Sequence, residues 1–449
     1  MPARASPKTK KTKLAPGTRR HLAIKNVERL SSYELKWRDR QPLLRARGYQ
    51  LRPRFRPGWK PSWSKWDWLP PCIKYGLMNP YSREDALPLS FGEVIMDAER
   101  AKGELVVMKI IEKSAHPYEL DIATFLSELK DLRNHCVPVL DFFDAFDDVG
   151  RTIIVMPLLR RFDDPPFETV WEVSECIGQF FEGLKFMHDL NVAHRDCFWP
   201  NLMMDASSLY RKPFHPASPQ RSKDWSGPAK HISRTEAFVK TGQHVKYYFI
   251  DFGISRRYER YDAAHNYPRE LPIIPGDKSV PEHQGERYHK PSDPFATDIY
   301  LLGNAIRERF LRNDEYSSKL HFLDRLIAQM THENPEARPR ISEVLNDFAG
   351  MDKGDLTSRL APSGNERKAP AKGLKVSTAE RKAPANQSVA RTSTQPPHAL
   401  LAGPSTTARQ PEKSRICQAQ AMCKGRKDRK KDDAAPKDEK SVKAKKRGG

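Results

Sequence analysis

The chain has 449 residues, of which 30% are charged, with a formal charge of +21 and six cysteines. The positive excess sits at the ends: Lys+Arg against Asp+Glu is 7 to 0 over 1–20, 24 to 10 over 351–449 and 47 to 47 between them. A neutral central part gives no reason to expect a nucleic-acid groove on the folded domain, and cysteines at 72, 136, 176, 197, 417 and 423 without CxxC or metal-ligand spacing exclude a disulfide framework.

No apolar run approaches the roughly 18 to 20 residues of a membrane span, and the N-terminus lacks a hydrophobic signal core. An intracellular protein with no membrane partner is expected, in the cytoplasm or, given the basic clusters described below, in the nucleus. Residues 1–20 carry little that can be buried and read as a disordered basic tail. Ser31, Ser32 and Glu34 can cap a helix that runs through WRDRQPLLRAR and stops near Gly48. The next stretch, LRPRFRPGWKPSWSKWDWLPP, interleaves Arg with Trp59, Trp63, Trp66 and Trp68. Its prolines prevent a regular nucleic-acid surface, so 21–85 reads as an extension containing a strap packed on the domain.

Residues 94–100 (VIMDAER) and 104–111 (ELVVMKII) read as two strands joined by a turn at 101–103, and the second carries Lys109. The following helix places Glu119 on the same face as Ile122, Ala123 and Leu126, an apolar set that turns this carboxylate inward. Glu128 is the alternative partner for the lysine, with Asp131 and His135 making a poorer core face. Residues 137–143 and 151–159 read as strands. A helix over 168–188 then aligns Val173, Cys176, Ile177, Phe180, Phe181, Leu184 and Met187 in one apolar stripe.

That helix delivers the chain to 192–205, VAHRDCFWPNLMMD. Asp196 and Asn201, five residues apart on a tight loop, can face one reacting phosphate, the carboxylate receiving a hydroxyl proton while the amide holds a metal ion. Residues 207–243 hold Pro213, Pro216, Pro219 and Pro228 and read as an insertion. A second β-prone run then ends in Asp251, Phe252 and Gly253.

His194, Arg195, Asp196 and Asn201 match HRDxxxxN, and DFG at 251–253, VPE at 280–282, DIYLLG at 298–303 and Arg338 in NPEARP follow in order. In this the chain resembles protein kinases. LRPRFRPGW, RNHCVPVL, HRDCFWPN, KYYFIDFG and DIYLLGN resemble, more narrowly, the divergent protein-kinase-like proteins of mushroom-forming fungi. The resemblance implies an α+β, bilobal protein-kinase-like fold over 86–350, with a small antiparallel β lobe at 86–156 and a larger helical lobe at 160–350. It implies ATP and Mg2+ as cofactors and transfer of the γ-phosphoryl group to a protein substrate, a Ser/Thr hydroxyl more readily than Tyr.

Residue by residue, Lys109 held by Glu119 would orient the α- and β-phosphates, Asp251 and Asn201 would bind Mg2+, and Asp196 would position the attacking hydroxyl. Arg195 would receive a phosphorylated residue from the activation segment, which holds Ser255, Tyr258, Tyr261, Tyr267 and Ser279. Gly92, Val94, Val107, Met156 and Leu159 would surround the nucleotide, and Glu282 would pair with Arg338. The chain departs from the family at the glycine loop, where Leu87 and Leu89 replace the first two glycines, and at Phe198, where Ser/Thr kinases carry Lys. Both departures remove charge stabilisation from phosphoryl transfer. They keep open a pseudokinase that binds nucleotide or protein as a scaffold, and a small-molecule kinase is a third reading.

Residues 351–449 are expected to be a disordered basic tail. With KTKKTK at 8–13, its clusters KGRKDRKK (424–431) and KAKKR (443–447) resemble nuclear-import signals, or could bind anionic polymers indiscriminately. Nothing in the sequence fixes an oligomeric state.

Overall fold

The computed structural model describes residues 27–360, except 71, 72, 75, 76, 78, 89–92, 147, 260–267, 274, 275, 314 and 315. The two expected tails therefore lie outside the described residues but for their inner edge at 351–360. Helix α1, Ser32–Ala46, starts on a complete capping box: Ser31 accepts from the Glu34 amide, and the Glu34 carboxylate accepts from the Ser31 amide. It stops before Gly48, whose φ of +89 suits a residue without Cβ.

A four-stranded antiparallel sheet follows. It is built from β1 (Ile95–Glu99), β2 (Leu105–Glu112), β3 (Asp141–Ala145) and β4 (Asp148–Pro157), in the order β1-β2-β4-β3. Alternation decides its two faces. Met96, Ala98, Val106, Met108, Ile110, Ile153 and Val155 point to one side, where Trp37 and Leu44 of α1 and Tyr49, Leu51 and Phe55 bury them. The Arg- and aromatic-rich extension thus lies on the sheet as a strap. Arg54 anchors it with an ion pair to Glu34 at 2.8 Å and bonds to the carbonyls of Val27, Arg29 and Asp85. At the free edge of β1, Gln50 pairs with Glu99.

Helix α2, Glu119–Glu128, packs against the other face. The strand expected over 137–143 starts only at Asp141. The chain before it is recruited elsewhere: the Phe249 amide donates to His135 O at 2.7 Å and the Val137 amide to Phe249 O at 2.9 Å.

The larger lobe is organised on α3, Val170–Asp189, capped by Thr169 and buried along the apolar stripe. After it come β6 (Val192–Ala193), β7 (Leu202–Met204), β10 (Tyr247–Phe249) and β11 (Arg256–Arg257); β10 and β5 (Arg160–Arg161) flank β7, and β11 pairs with β6. Helices α5 (Pro294–Ile306), α6 (Asp324–Met330) and α7 (Ile341–Gly350) complete the lobe. The fold continues past 350: the Trp171 and Val170 amides donate to Leu356 and Ser358 carbonyls, and Leu360 is buried. The boundary at 351 therefore falls about ten residues early, because those residues satisfy the first amides of α3.

The insertion is folded. Strands β8 (Phe214–His215) and β9 (Ser218–Ser222) form a hairpin, and α4 (Arg234–Thr241) returns the chain. Arg234 is buried and donates to Tyr247 Oη at 2.9 Å and to the carbonyls of Phe162, Pro165 and Pro166. The hairpin reaches the small lobe, with Lys223 paired to Glu99 at 2.9 Å and Trp225 Nε1 donating to Ser82 O at 2.8 Å.

Candidate active site

The site is assembled from four places on the chain. Lys109 lies on β2 between buried Met108 and Ile110, so the pleat turns it to the opposite face of the sheet. There its Nζ lies 2.5 Å from Glu119 Oε1 and 2.7 Å from Asp251 Oδ1. Glu119 is the first residue of α2, held inward by Ile122, Ala123 and Leu126 on the same face. Burial works against the Lys109 ammonium, but the carboxylates of Asp251 and Glu119 outweigh it and hold its pKa above the ordinary lysine value. Burial likewise opposes ionisation of Asp251, and Lys109 reverses it, so this carboxyl titrates below its usual range.

The cleft wall is partly drawn. Val107 pairs with Met156 across β2 and β4, and the Ile110 amide donates to Val94 O at 2.8 Å. The Val94 side chain is 47% exposed. Leu158 donates its amide to Leu105 O at 3.2 Å, Pro157 has no amide, and Leu159 is buried. Gly92 lies outside the described residues, with Leu89. Leu87 has an ordinary extended backbone, φ −78 and ψ 111, and no described residue between it and Val94 forms a strand.

The loop after β6 is fixed from beneath by Asp298 of α5, which is fully buried. Its carboxylate accepts from the His194 amide at 2.8 Å, the Arg195 amide at 2.6 Å and His188 Nε2 at 3.1 Å. These bonds hold Arg195 at φ +68, a strained value for a residue with Cβ. His194 is buried, lies near the rings of Phe249 and Phe252, and donates from Nε2 to Ile250 O at 3.1 Å, linking the loop to the DFG strand. Asp251 is strained in the same way, at φ +66.

Asp196 is held on both oxygens. Asn201 Nδ2 donates to Oδ2 at 2.8 Å and to the Asp196 carbonyl at 3.0 Å, and the Gly276 amide donates to Oδ1 at 2.8 Å. Burial raises the Asp196 pKa, while those donors and His194 pull the other way. A Cβ built on Gly276 would fall 2.0 Å from Phe198 Cζ, so the residue standing where Lys was expected packs directly on this glycine.

Arg195 is already engaged: its Nη2 lies 2.9 Å from Glu270 Oε2, and Arg256 Nη1 lies 3.0 Å from Glu270 Oε1. Of the expected phosphate acceptors, Ser255 is buried and donates to His194 O, Ser279 is tied to Tyr300 and Asn304, and Tyr261 and Tyr267 lie outside the described residues. Glu282 and Arg338 form a buried bidentate pair at 2.7 Å. Sequence reasoning missed Gly276, Glu270 and the role of Asp298. Only Asp298 had a signal, its place in DIYLLG.

The donor set suits a hard cation shared with phosphate. Among the described residues no cluster of three or more His, Cys, Asp or Glu can hold a metal by itself. One carboxylate, Asp251, and one amide oxygen, Asn201, match the sparse protein ligation that Mg2+ takes when phosphate oxygens complete its shell.

A paired lysine, a held carboxylate and an adjoining Asp/Asn oxygen set lie between a small antiparallel lobe and a helical lobe, the layout of a protein-kinase fold. Residues 90–351, more than half of the chain, match the protein kinase domain, and the chain belongs to that family. It is similar to serine/threonine-protein kinase AFC2 of Arabidopsis thaliana, 23% identical over 192 residues, covering 39% of this chain and 40% of the relative. Serine/threonine-protein kinase AFC1 of the same plant is 24% identical over 190 residues, 40% of this chain and 37% of its own. MAP kinase-activated protein kinase mak-1 of Caenorhabditis elegans is 24% identical over 250 residues, 52% of this chain and 39% of its own. The chain spans about two-fifths of the length of these relatives. No helix among the described residues is long and apolar enough to cross a membrane.

Proposed function

We propose that this domain transfers the γ-phosphoryl group of ATP to a protein hydroxyl, Ser or Thr in preference to Tyr. The observation that carries the reading is Lys109 held between Glu119 and Asp251, with Asp196 and Asn201 joined in one hydrogen-bonded unit. Lys109 orients the α- and β-phosphates, and Leu159 offers a backbone amide to the adenine edge beside the amide-less Pro157. Asp251 and Asn201 would hold Mg2+, which supplies neutralisation of phosphate charge. Asp196, oriented by Asn201 and Gly276, accepts the hydrogen bond of the incoming hydroxyl and takes its proton.

Phosphate transfer from ATP with Mg2+, to the protein itself and to generic basic and acidic protein substrates, tests the reading. Transfer is expected in the wild type and lost in Asp196→Ala and Asp251→Asn; transfer that survives in both variants overturns it. A nucleotide-binding scaffold is the second reading, favoured by the Gly276 amide already on Asp196 and by Phe198 in place of a cation. It predicts an ATP-induced thermal shift with no transfer. The basic clusters at 8–13, 424–431 and 443–447 are proposed as contacts for nuclear-import factors or anionic polymers, tested by the distribution of the full chain with and without them.

A further inference from the structure

Arg195 adjoins Asp196, and Arg256 lies on β11, which pairs with β6 just ahead of the same loop. Two guanidinium groups brought to one point need an anion, and here a single carboxylate answers both: Glu270, at 2.9 Å from Arg195 and 3.0 Å from Arg256. The carboxylate is not a passing surface charge. Its side chain is 19% exposed, and its backbone is fixed by the Glu270 amide on Ser292 O at 3.0 Å and the Ser292 amide on Glu270 O at 2.8 Å. The Tyr258 hydroxyl is buried close by.

The contacts continue to the lysine's partner. The Arg256 guanidinium lies over the ring of Tyr118, 5.4 Å from its centroid, and Tyr118 immediately precedes Glu119. Arg257 lies over Phe125 on the same helix at 3.8 Å, and His116 Nδ1 donates to Gly253 O at 2.8 Å. Through Arg195 and Arg256 the bridge at Glu270 connects the loop bearing Asp196 with Tyr118, the residue before the helix bearing Glu119. A phosphorylated side chain orders such segments by supplying an anion to converging arginines.

We propose that Glu270 is a positioning residue that takes the place of such a phosphate, joining Arg195 and Arg256 permanently so that the site is assembled without phosphorylation of the segment. The inference rests on the kinase reading for its effect on catalysis, but its structural content is independent of that reading. The ammonium of Lys109 is met elsewhere, by Glu119 and Asp251, and among the described residues Arg195 and Arg256 both lie within ion-pair distance of Glu270.

The test uses the full chain, wild type and Glu270→Gln, each treated with a broad phosphatase and checked by mass spectrometry. Hydrogen exchange at amides 253–258 and 268–273 is expected to be the same before and after treatment of the wild type. In Glu270→Gln it should rise by about tenfold or more, since a shielded pair has lost one partner. Phosphoryl transfer should follow, with kcat about tenfold lower, KM for ATP little changed and partial recovery in Glu270→Asp. Unchanged exchange in Glu270→Gln overturns the proposal, as does a wild type whose exchange or activity collapses on phosphatase treatment. If the wild type transfers no phosphate at all, the kinase reading fails while the exchange comparison still decides the role of Glu270.

Discussion

The ring of Phe198 leaves no room for a side chain on Gly276, whose amide holds Asp196 Oδ1 at 2.8 Å. The aromatic residue that stands where lysine was expected therefore packs on the peptide that holds the Asp196 carboxylate. Gly276→Ala should lower kcat by about tenfold with little change in KM for ATP. The double variant Phe198→Ala/Gly276→Ala should recover part of the loss, since the clash and its relief are coupled. Equal additive losses in steady-state kinetics would show that the two residues do not act together.

The acid limb of the rate profile reports Asp196. Burial raises its pKa, and an Asp that must be ionised loses activity as pH falls through that raised value. The limb of kcat/KM should thus lie above the roughly 3.9 of an exposed aspartate and have unit slope. It should disappear from any residual activity of Asp196→Asn.

Glu282 and Arg338 make a shielded pair at 2.7 Å, also bonded to Thr297 Oγ1 and Ala296 O. Glu282→Gln should destabilise the domain by about 3 kcal/mol, visible as an earlier denaturation midpoint. Burial opposes the Glu282 charge, and Arg338 outweighs it, so the folded pKa is depressed. The stabilisation is full above the unfolded pKa of about 4.3 and is lost as pH falls through the lower folded value. Wild type and variant should therefore converge in stability in acid.

Arg234 ties the insertion to the larger lobe through three carbonyls and Tyr247 Oη. Arg234→Met keeps an apolar side chain but loses the guanidinium over Phe167 and leaves Phe162, Pro165 and Pro166 without these donors. A loss of about 3 kcal/mol in urea unfolding is expected. Insensitivity of the midpoint would mean that the insertion is held elsewhere.

The catalytic loop was legible because its chemistry is local: HRDxxxxN and DFG keep their donors and acceptors at fixed short spacings. Glu119 was legible for a related reason, since Ile122, Ala123 and Leu126 oblige one helix face to turn inward. The fold of 207–243 was not, because its bonds run to 82, 99 and 162–166, and no local pattern announces partners that distant. Glu270 was equally hidden: a lone acidic residue gains its meaning only when Arg195 and Arg256 converge on it. The capping box at Ser31 announced α1, but not the surface that α1 covers.

That surface bears on where this protein can be cut. The family match begins at residue 90, whereas Trp37, Leu44, Tyr49, Leu51 and Phe55 shield Met96, Val106, Met108, Ile110, Ile153 and Val155. A fragment trimmed to the match would expose a contiguous greasy plate on the small lobe and be prone to self-association. A fragment that begins upstream of Ser31 keeps that face covered.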